Sequence, residues 1–145
     1  MADLLKKKRI LIVDDDPDVV AYLEMLLQDQ GFETLTAFDG REAMEVARKG
    51  KPDLITLDIS MPSVSGTKVY RELRGDPELE TIPVIIVTAI VGFDGDAHAY
   101  EKFISHRRKV PPPDGFFPKP IDREAFLTAV GDLLGEPTAS RLQPA

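Results

Sequence analysis

Four short apolar runs in this sequence are each followed closely by side chains that can take part in ionic chemistry. Asp14, Asp15 and Asp16 follow the run at 10–13, and Asp58 follows the run at 54–57. Thr88 follows the run at 84–87, and Lys119 comes shortly after the run at 115–117. Carboxylate oxygens suit Mg²⁺, which takes few protein ligands and keeps several waters. An ionised aspartate beside that ion can attack phosphorus, and an ammonium group can bind a phosphate oxygen as a point charge. If the fold gathers these side chains, they have the parts needed to transfer a phosphoryl group to an aspartate.

The apolar pattern predicts strands and helices in strict alternation. Short runs rich in β-branched residues predict strands at 10–13, 34–38, 54–57, 84–87 and 115–117. Apolar residues at helical spacing predict helices from 17 to near 31, over 40–49, around Val69 and Leu73 up to Gly75, over 96–108 and around 126–134. Asp16 before Pro17 is typical of a helix N-cap with proline at the first helical position.

Strict alternation of strands and helices favours an α/β fold: a mostly parallel five-stranded sheet with helices on both faces. In the common flavodoxin-like order 2-1-3-4-5, the first and third strands flank the point where strand order reverses, and ligands bind there. That order would bring Asp14, Asp15 and Asp58 together, with Thr88 and Lys119 to one side. Because three carboxylates repel one another, the cluster calls for a neutralising ion, and its oxygen ligands favour Mg²⁺.

Length and composition restrict the classes of protein that fit. The chain has 145 residues, enough for one domain, with 43% hydrophobic and 30% charged residues. It has no cysteine and two histidines, which exclude disulfides, thiolate metal sites and multi-histidine sites. The net charge of −7 argues against direct nucleic-acid binding, and no apolar run is long enough to cross a membrane. A reduced cytoplasm is the expected location.

Together, the motifs at the strand ends resemble the receiver domain of two-component response regulators, the CheY-like family. They are an acidic cluster in 10–17, an acceptor segment in 53–62 with Gly66 behind it, the pair Thr88-Ala89, and Lys119-Pro120. Each motif is weak alone, but their order and their positions are specific. The resemblance covers about 9–134. We therefore expect a lead-in at 1–8, a receiver domain at 9–135 and a polar tail at 136–145.

The resemblance implies a role for each carboxylate. Asp58 would accept a phosphoryl group from a sensor histidine kinase. Asp15 and Asp58, with the main-chain carbonyl of Ser60, would bind Mg²⁺, and Asp14 would act through a metal-bound water.

The resemblance also implies a switch. Thr88 and Lys119 would bind the phosphoryl group and relay its presence, and Phe116 stands where the family has an aromatic switch residue. Phenylalanine at such a position is more often a plain core residue, so that role is open as well. The peptide bond before Pro120 is often cis in the family, so the same is expected here.

The stretch between Thr88 and Lys119 departs from the family pattern because it is longer and ends in three consecutive prolines. We expect the region 92–118 either to form a surface for an unknown downstream protein or to be a tolerated loop extension. A homodimer and a monomer both fit the sequence.

Two other functions stay open. A Mg²⁺-dependent phosphatase would use Asp58 as nucleophile, but it would need an acid two residues later, where Ser60 stands. A docking module that works without phosphate would not need the complete set of site residues. The expected function is therefore a phosphorylation-controlled binding module and not an enzyme.

Overall fold

The structure is a computed structural model, and it describes residues 7–59, 66–88 and 113–135. The described residues contain five strands and four helices. In chain order these are β1 (Arg9–Val13), α1 (Pro17–Asp29), β2 (Glu33–Ala37), α2 (Gly40–Gly50), β3 (Leu54–Leu57), α3 (Gly66–Gly75), β4 (Val84–Thr88), β5 (Gly115–Pro118) and α4 (Arg123–Leu133). The predicted helix over 96–108 and most of the region 92–118 lie outside the described residues.

The five strands form one sheet in the order β2-β1-β3-β4-β5, and every neighbouring pair is parallel. The predicted fold class and strand order are therefore confirmed. Val13 at the end of β1 pairs with Leu57 at the end of β3. The residues that follow these two positions consequently leave the sheet side by side at its carboxyl edge.

Two apolar cores lie on the two faces of the sheet, because alternate residues of a strand point to opposite faces. One core joins the sheet to α2 and α3, with Leu11, Ile55 and Ile86 from the strands. The other joins it to α1 and α4, with Ile10, Ile12 and Ile85. Both faces of β1 and β3 are buried, which explains their uninterrupted apolar sequence.

Aspartate side chains cap three of the helices. Asp16 accepts a hydrogen bond from the N–H of Asp18, with Pro17 in the first turn, as predicted. Asp39 and Asp122 cap α2 and α4 in the same way. These caps satisfy N–H groups that have no partner within the helix, and so fix where each helix begins.

The observed element boundaries differ slightly from the predicted ones. Strand β2 ends at Ala37 and not at Phe38, because the N–H of Phe38 donates to the side chain of Glu42 at 2.8 Å. Helix α1 ends near Gly31 as expected, where the backbone has a φ of +92°. No helix in the described ranges is long and apolar enough to cross a bilayer.

Candidate functional site

Three carboxylates meet at the carboxyl edge of β1 and β3. The N–H of Asp58 donates to the carbonyl of Val13 at 2.9 Å, which continues the pairing of the two strands beyond their ends. One carboxylate oxygen each from Asp14, Asp15 and Asp58 lies within 4.8 Å of the other two. Asp14 and Asp58 are 1% and 2% exposed, whereas Asp15 is exposed. The predicted acidic cluster is thus brought together, with one side open to solvent.

Lys119 reaches this cluster from the end of β5. Its Nζ donates to Oδ2 of Asp14 at 2.8 Å and lies 3.7 Å from Oδ2 of Asp58. The other oxygen of Asp14 accepts the N–H of Asp16 at 2.9 Å. The Lys119–Pro120 peptide bond is cis, as expected.

The site carries more negative than positive charge. Among the residues that the structure describes, three carboxylates meet one ammonium group here, which leaves a formal charge of two negative units. Burial raises the pKa of Asp14, and the charge of Asp58 adds to this, against hydrogen bonds from Lys119 and Asp16 that lower it. For Lys119, burial lowers the pKa, but the hydrogen bond to Asp14 and the surrounding carboxylates outweigh burial and raise it. Both groups therefore hold their protons more tightly in the site than they would in water.

The donor set fits a hard divalent cation. The oxygens are carboxylate oxygens, their spacing allows them to approach one ion, and the excess charge matches that of a divalent cation. Mg²⁺ keeps several waters when it binds proteins, and the exposed side at Asp15 leaves room for them.

The structure tests the placement of the remaining predicted residues only in part. Thr88 is the last residue of β4 and pairs with Pro118 of β5. Phe116 is half-buried and packs against the core under α2 and α3. Ser60 lies outside the described residues. The roles assigned to these residues therefore stay predictions.

A hollow beside Lys119 was not predicted from the sequence. It has a volume of about 460 Å³ and lies between α1 and the segment after β5, lined by Val19, Tyr22, Lys119 and Ile121 among others. Tyr22 is 41% exposed. The available signal was that Tyr22 falls outside the apolar stripe of α1 and still is a large aromatic residue.

Comparisons with known proteins identify the family that this chain resembles. The family model described as "Response regulator receiver domain" matches residues 10–131. The polar-differentiation response regulator DivK of Brucella anthropi is 34% identical over 129 residues, which cover 89% of this chain and 98% of DivK.

Solved structures have the same fold. The chemotaxis protein CheY4 of Vibrio cholerae superposes with a TM-score of 0.75 and 26% identity, covering 88% of this chain and 99% of CheY4. The response regulator TrrA of Thermotoga maritima, solved in complex with Mg²⁺-BeF, gives a TM-score of 0.70 and 31% identity, covering 87% of this chain and 98% of TrrA.

Proposed function

The chain belongs to the response regulator receiver domain family, and on that premise we propose that it takes a phosphoryl group from a sensor histidine kinase onto Asp58 and then changes its binding to a partner protein. One observation carries the proposal. The carboxylate of Asp58 is 2% exposed and lies at the sheet edge within reach of two further carboxylates and one ammonium group. This is the arrangement that an acceptor of phosphoryl groups needs.

In the proposed step, an oxygen of Asp58 forms a bond to phosphorus while the P–N bond of the donor phosphohistidine breaks. The electron pair of that bond returns to the imidazole, which takes up a proton, and Asp58 becomes an acyl phosphate. Positioning and charge neutralisation supply most of the catalysis of such transfers. Lys119, 3.7 Å from Asp58, stands where its ammonium group can bind an oxygen of the incoming phosphoryl group.

We propose Asp14, Asp15 and Asp58 as the side chains that hold Mg²⁺, with the main-chain carbonyl of Ser60 as a further ligand. When bound, Mg²⁺ supplies the positive charge that neutralises the phosphoryl oxygens and the carboxylates. The complex of the relative TrrA with Mg²⁺-BeF supports this assignment.

The phosphoryl group would be relayed by a change of partners. Lys119 is bound to Asp14 at 2.8 Å in the structure, and a phosphoryl group on Asp58 would compete for its ammonium group. We propose that Thr88, at the end of β4, also binds the group and that Phe116 on the adjacent strand responds. Phosphorylation would then bias two states of this face and so control binding of a downstream protein, with the region 92–118 as the proposed surface.

The proposed role is regulatory, and the chain is proposed to be a binding module and not an enzyme. We propose that this exchange takes place in the cytoplasm.

The test is the intact mass of the protein after incubation with phosphoramidate or acetyl phosphate, with Mg²⁺ and with EDTA. Phosphoramidate contains the P–N bond of the proposed donor. Asp58→Asn removes the acceptor, which follows the end of β3. Asp53→Asn is a matched control, because Asp53 is an aspartate just before the start of β3.

We expect one phosphoryl group on the wild type and on Asp53→Asn, only with Mg²⁺, and none on Asp58→Asn. Continuous release of inorganic phosphate without an adduct would favour a phosphatase. Neither an adduct nor release would favour a docking module that works without phosphate.

A further inference from the structure

The first residue of α3 lies directly on the backbone that carries Asp58. A Cβ atom built on Gly66 would overlap the carbonyl oxygen of Asp58 and the Cα of Ile59, and it would lie 2.9 Å from the carbonyl carbon of Asp58. These neighbours are all main-chain atoms. They cannot give way by rotating a side chain, so any residue larger than glycine must displace either the helix or the end of β3.

Space, and not backbone conformation, requires glycine at this position. Gly66 is a helical residue, whereas the glycines with positive φ in the described ranges are Gly31 and Gly135. At the other end of the same helix, a Cβ on Gly75 would meet no atom within 4 Å.

Helix α3 has little freedom to move away from the strand. Val69 and Tyr70, one turn after Gly66, are fully buried in the core between α3 and the sheet. Moving the helix outward would open voids around both side chains, which close-packed interiors resist. Part of the displacement is therefore expected to fall on the Asp58–Ile59 peptide.

A small shift of that peptide is enough to affect the site. The carboxylate of Asp58 has to stay within 4.8 Å of two others and near Lys119. A misplacement of about 1 Å can cost about a hundredfold in a reaction that depends on positioning.

We propose that Gly66 is a positioning residue for Asp58: its missing side chain lets α3 seat against the Asp58–Ile59 peptide and thereby sets the Mg²⁺ affinity of the site and the rate of phosphorylation. The inference rests on the proposed function: its first effect on the proposed Mg²⁺ site and its second on the proposed phosphorylation of Asp58. Mg²⁺ binding tests the positioning independently of phosphoryl transfer.

The test compares three alanine substitutions in α3. Gly66→Ala introduces the overlap with the Asp58 peptide. Gly75→Ala makes the same chemical change in the same helix, in open space. Val69→Ala removes core packing of that helix without adding an atom near Asp58. Mg²⁺ affinity is measured by calorimetry, phosphorylation by intact mass with acetyl phosphate, and stability by urea unfolding in EDTA.

We expect Gly66→Ala to weaken Mg²⁺ binding and to slow phosphorylation, each by tenfold or more on the scale expected for about 1 Å of misplacement. Gly75→Ala should leave the Mg²⁺ affinity and the phosphorylation rate within about twofold of the wild type, because it changes only the helix propensity of that residue. Val69→Ala should lower the urea midpoint and leave the Mg²⁺ affinity of the folded protein unchanged. If Gly66→Ala is unfolded in buffer, all four proteins are compared in trimethylamine N-oxide, which favours the compact state.

Two results would overturn the proposal: Mg²⁺ affinity of Gly66→Ala within twofold of wild type, or an equal loss of affinity in Val69→Ala. A wild type that binds Mg²⁺ but takes no phosphoryl group would instead contradict the proposed function and leave the comparison of Mg²⁺ affinities valid.

Discussion

Strand β5 is held at both ends by contacts between a cation and a carboxylate, and the two ends differ in how well their charges are matched. At its start, Nη2 of Arg74 lies 2.8 Å from Oδ2 of Asp114. The same guanidinium donates to the hydroxyl of Tyr70 and to the carbonyls of Glu80 and Ile82. At its end, Lys119 lies 2.8 Å from Asp14 and 3.7 Å from Asp58, two members of a cluster of three carboxylates, and it is the one cation that contacts this cluster within the described ranges.

The difference separates a structural contact from a functional one. Around Arg74 one charge meets one charge, and the backbone groups of the loop before β4 complete its hydrogen bonds. Oδ2 of Asp114 also accepts the N–H of Val84, so the contacts of Arg74 and Asp114 form a node that joins α3, β4 and the start of β5. Around Lys119 the described residues leave negative charge over, which should cost stability and which, under the proposed function, a bound cation would neutralise.

The largest expected effect on stability comes from Arg74, at the start of β5. Arg74→Met should lower the free energy of unfolding by about 3 kcal/mol, because it takes the cation away from Asp114 and removes the donor to the carbonyls of Glu80 and Ile82. The side chain of Arg74 is 8% exposed. Arg48→Met is the matched control, since Arg48 is 53% exposed in its bridge to Asp76 and should cost less than about 1 kcal/mol. Urea unfolding measures both, and equal losses would remove the distinction between the two ends.

The cluster around Lys119, at the end of β5, could be predicted from the sequence, whereas the contact between Arg74 and Asp114, at its start, could not. Asp14 and Asp58 directly follow apolar runs, so the parallel fold alone brings them to one edge, and Lys119 follows for the same reason. Arg74 and Asp114 are 40 residues apart, and neither stands in a motif. Their contact depends on the path of the loop after α3, which periodicity does not determine.

The close contact at Gly66 could not be predicted from the sequence either. The glycine was part of the acceptor motif, but its contact with the Asp58 peptide depends on how closely α3 approaches β3. The boundary of β2 was missed by one residue because a side chain of the following helix takes the N–H of Phe38. Strand order, by contrast, follows from alternation and from which runs are apolar throughout.

A divalent cation should stabilise the functional end. At ten times its dissociation constant, Mg²⁺ should raise the free energy of unfolding of the wild type by about 1.4 kcal/mol, because it binds only the folded site. Asp14→Asn should lose most of this gain at the same Mg²⁺ concentration, and Arg48→Met should keep it. Urea unfolding with Mg²⁺ or EDTA measures the difference, and no stabilisation of the wild type would contradict the assignment of the site.

Replacing an aspartate by asparagine should change the free energy of unfolding in opposite directions at the two ends of β5. In EDTA, Asp14→Asn should raise the free energy of unfolding by about 1 kcal/mol, because it removes one of the excess charges. The asparagine keeps an oxygen for the N–H of Asp16, and Lys119 can close on Asp58. Asp114→Asn should lower it by about 1 kcal/mol, since it removes the only charge that faces Arg74 at that node in the described structure. Two changes of the same sign would show that both ends are balanced alike.

The smallest expected effect is a pH dependence of the Asp14→Asn gain. The pKa of Asp14 in the folded protein is raised above its ordinary value of 3.8, chiefly by burial, so the folded state holds this proton more tightly than the unfolded chain does. Stability from this group is therefore present at low pH and is lost as pH rises from that value through the raised one. The gain of Asp14→Asn over wild type should be near zero below about pH 4 and should reach its full size, about 1 kcal/mol, by neutral pH.

Urea unfolding in EDTA of both proteins across this range measures that difference. The raised pKa of Lys119 does not interfere, because its contribution is lost only above the ordinary lysine value of 10.5. A gain that shrinks as pH rises would mean that the Asp14 carboxylate is more stable in the site than in water. Lys119 would then balance the carboxylates as Arg74 balances Asp114, and the contrast between the two ends of β5 would not hold.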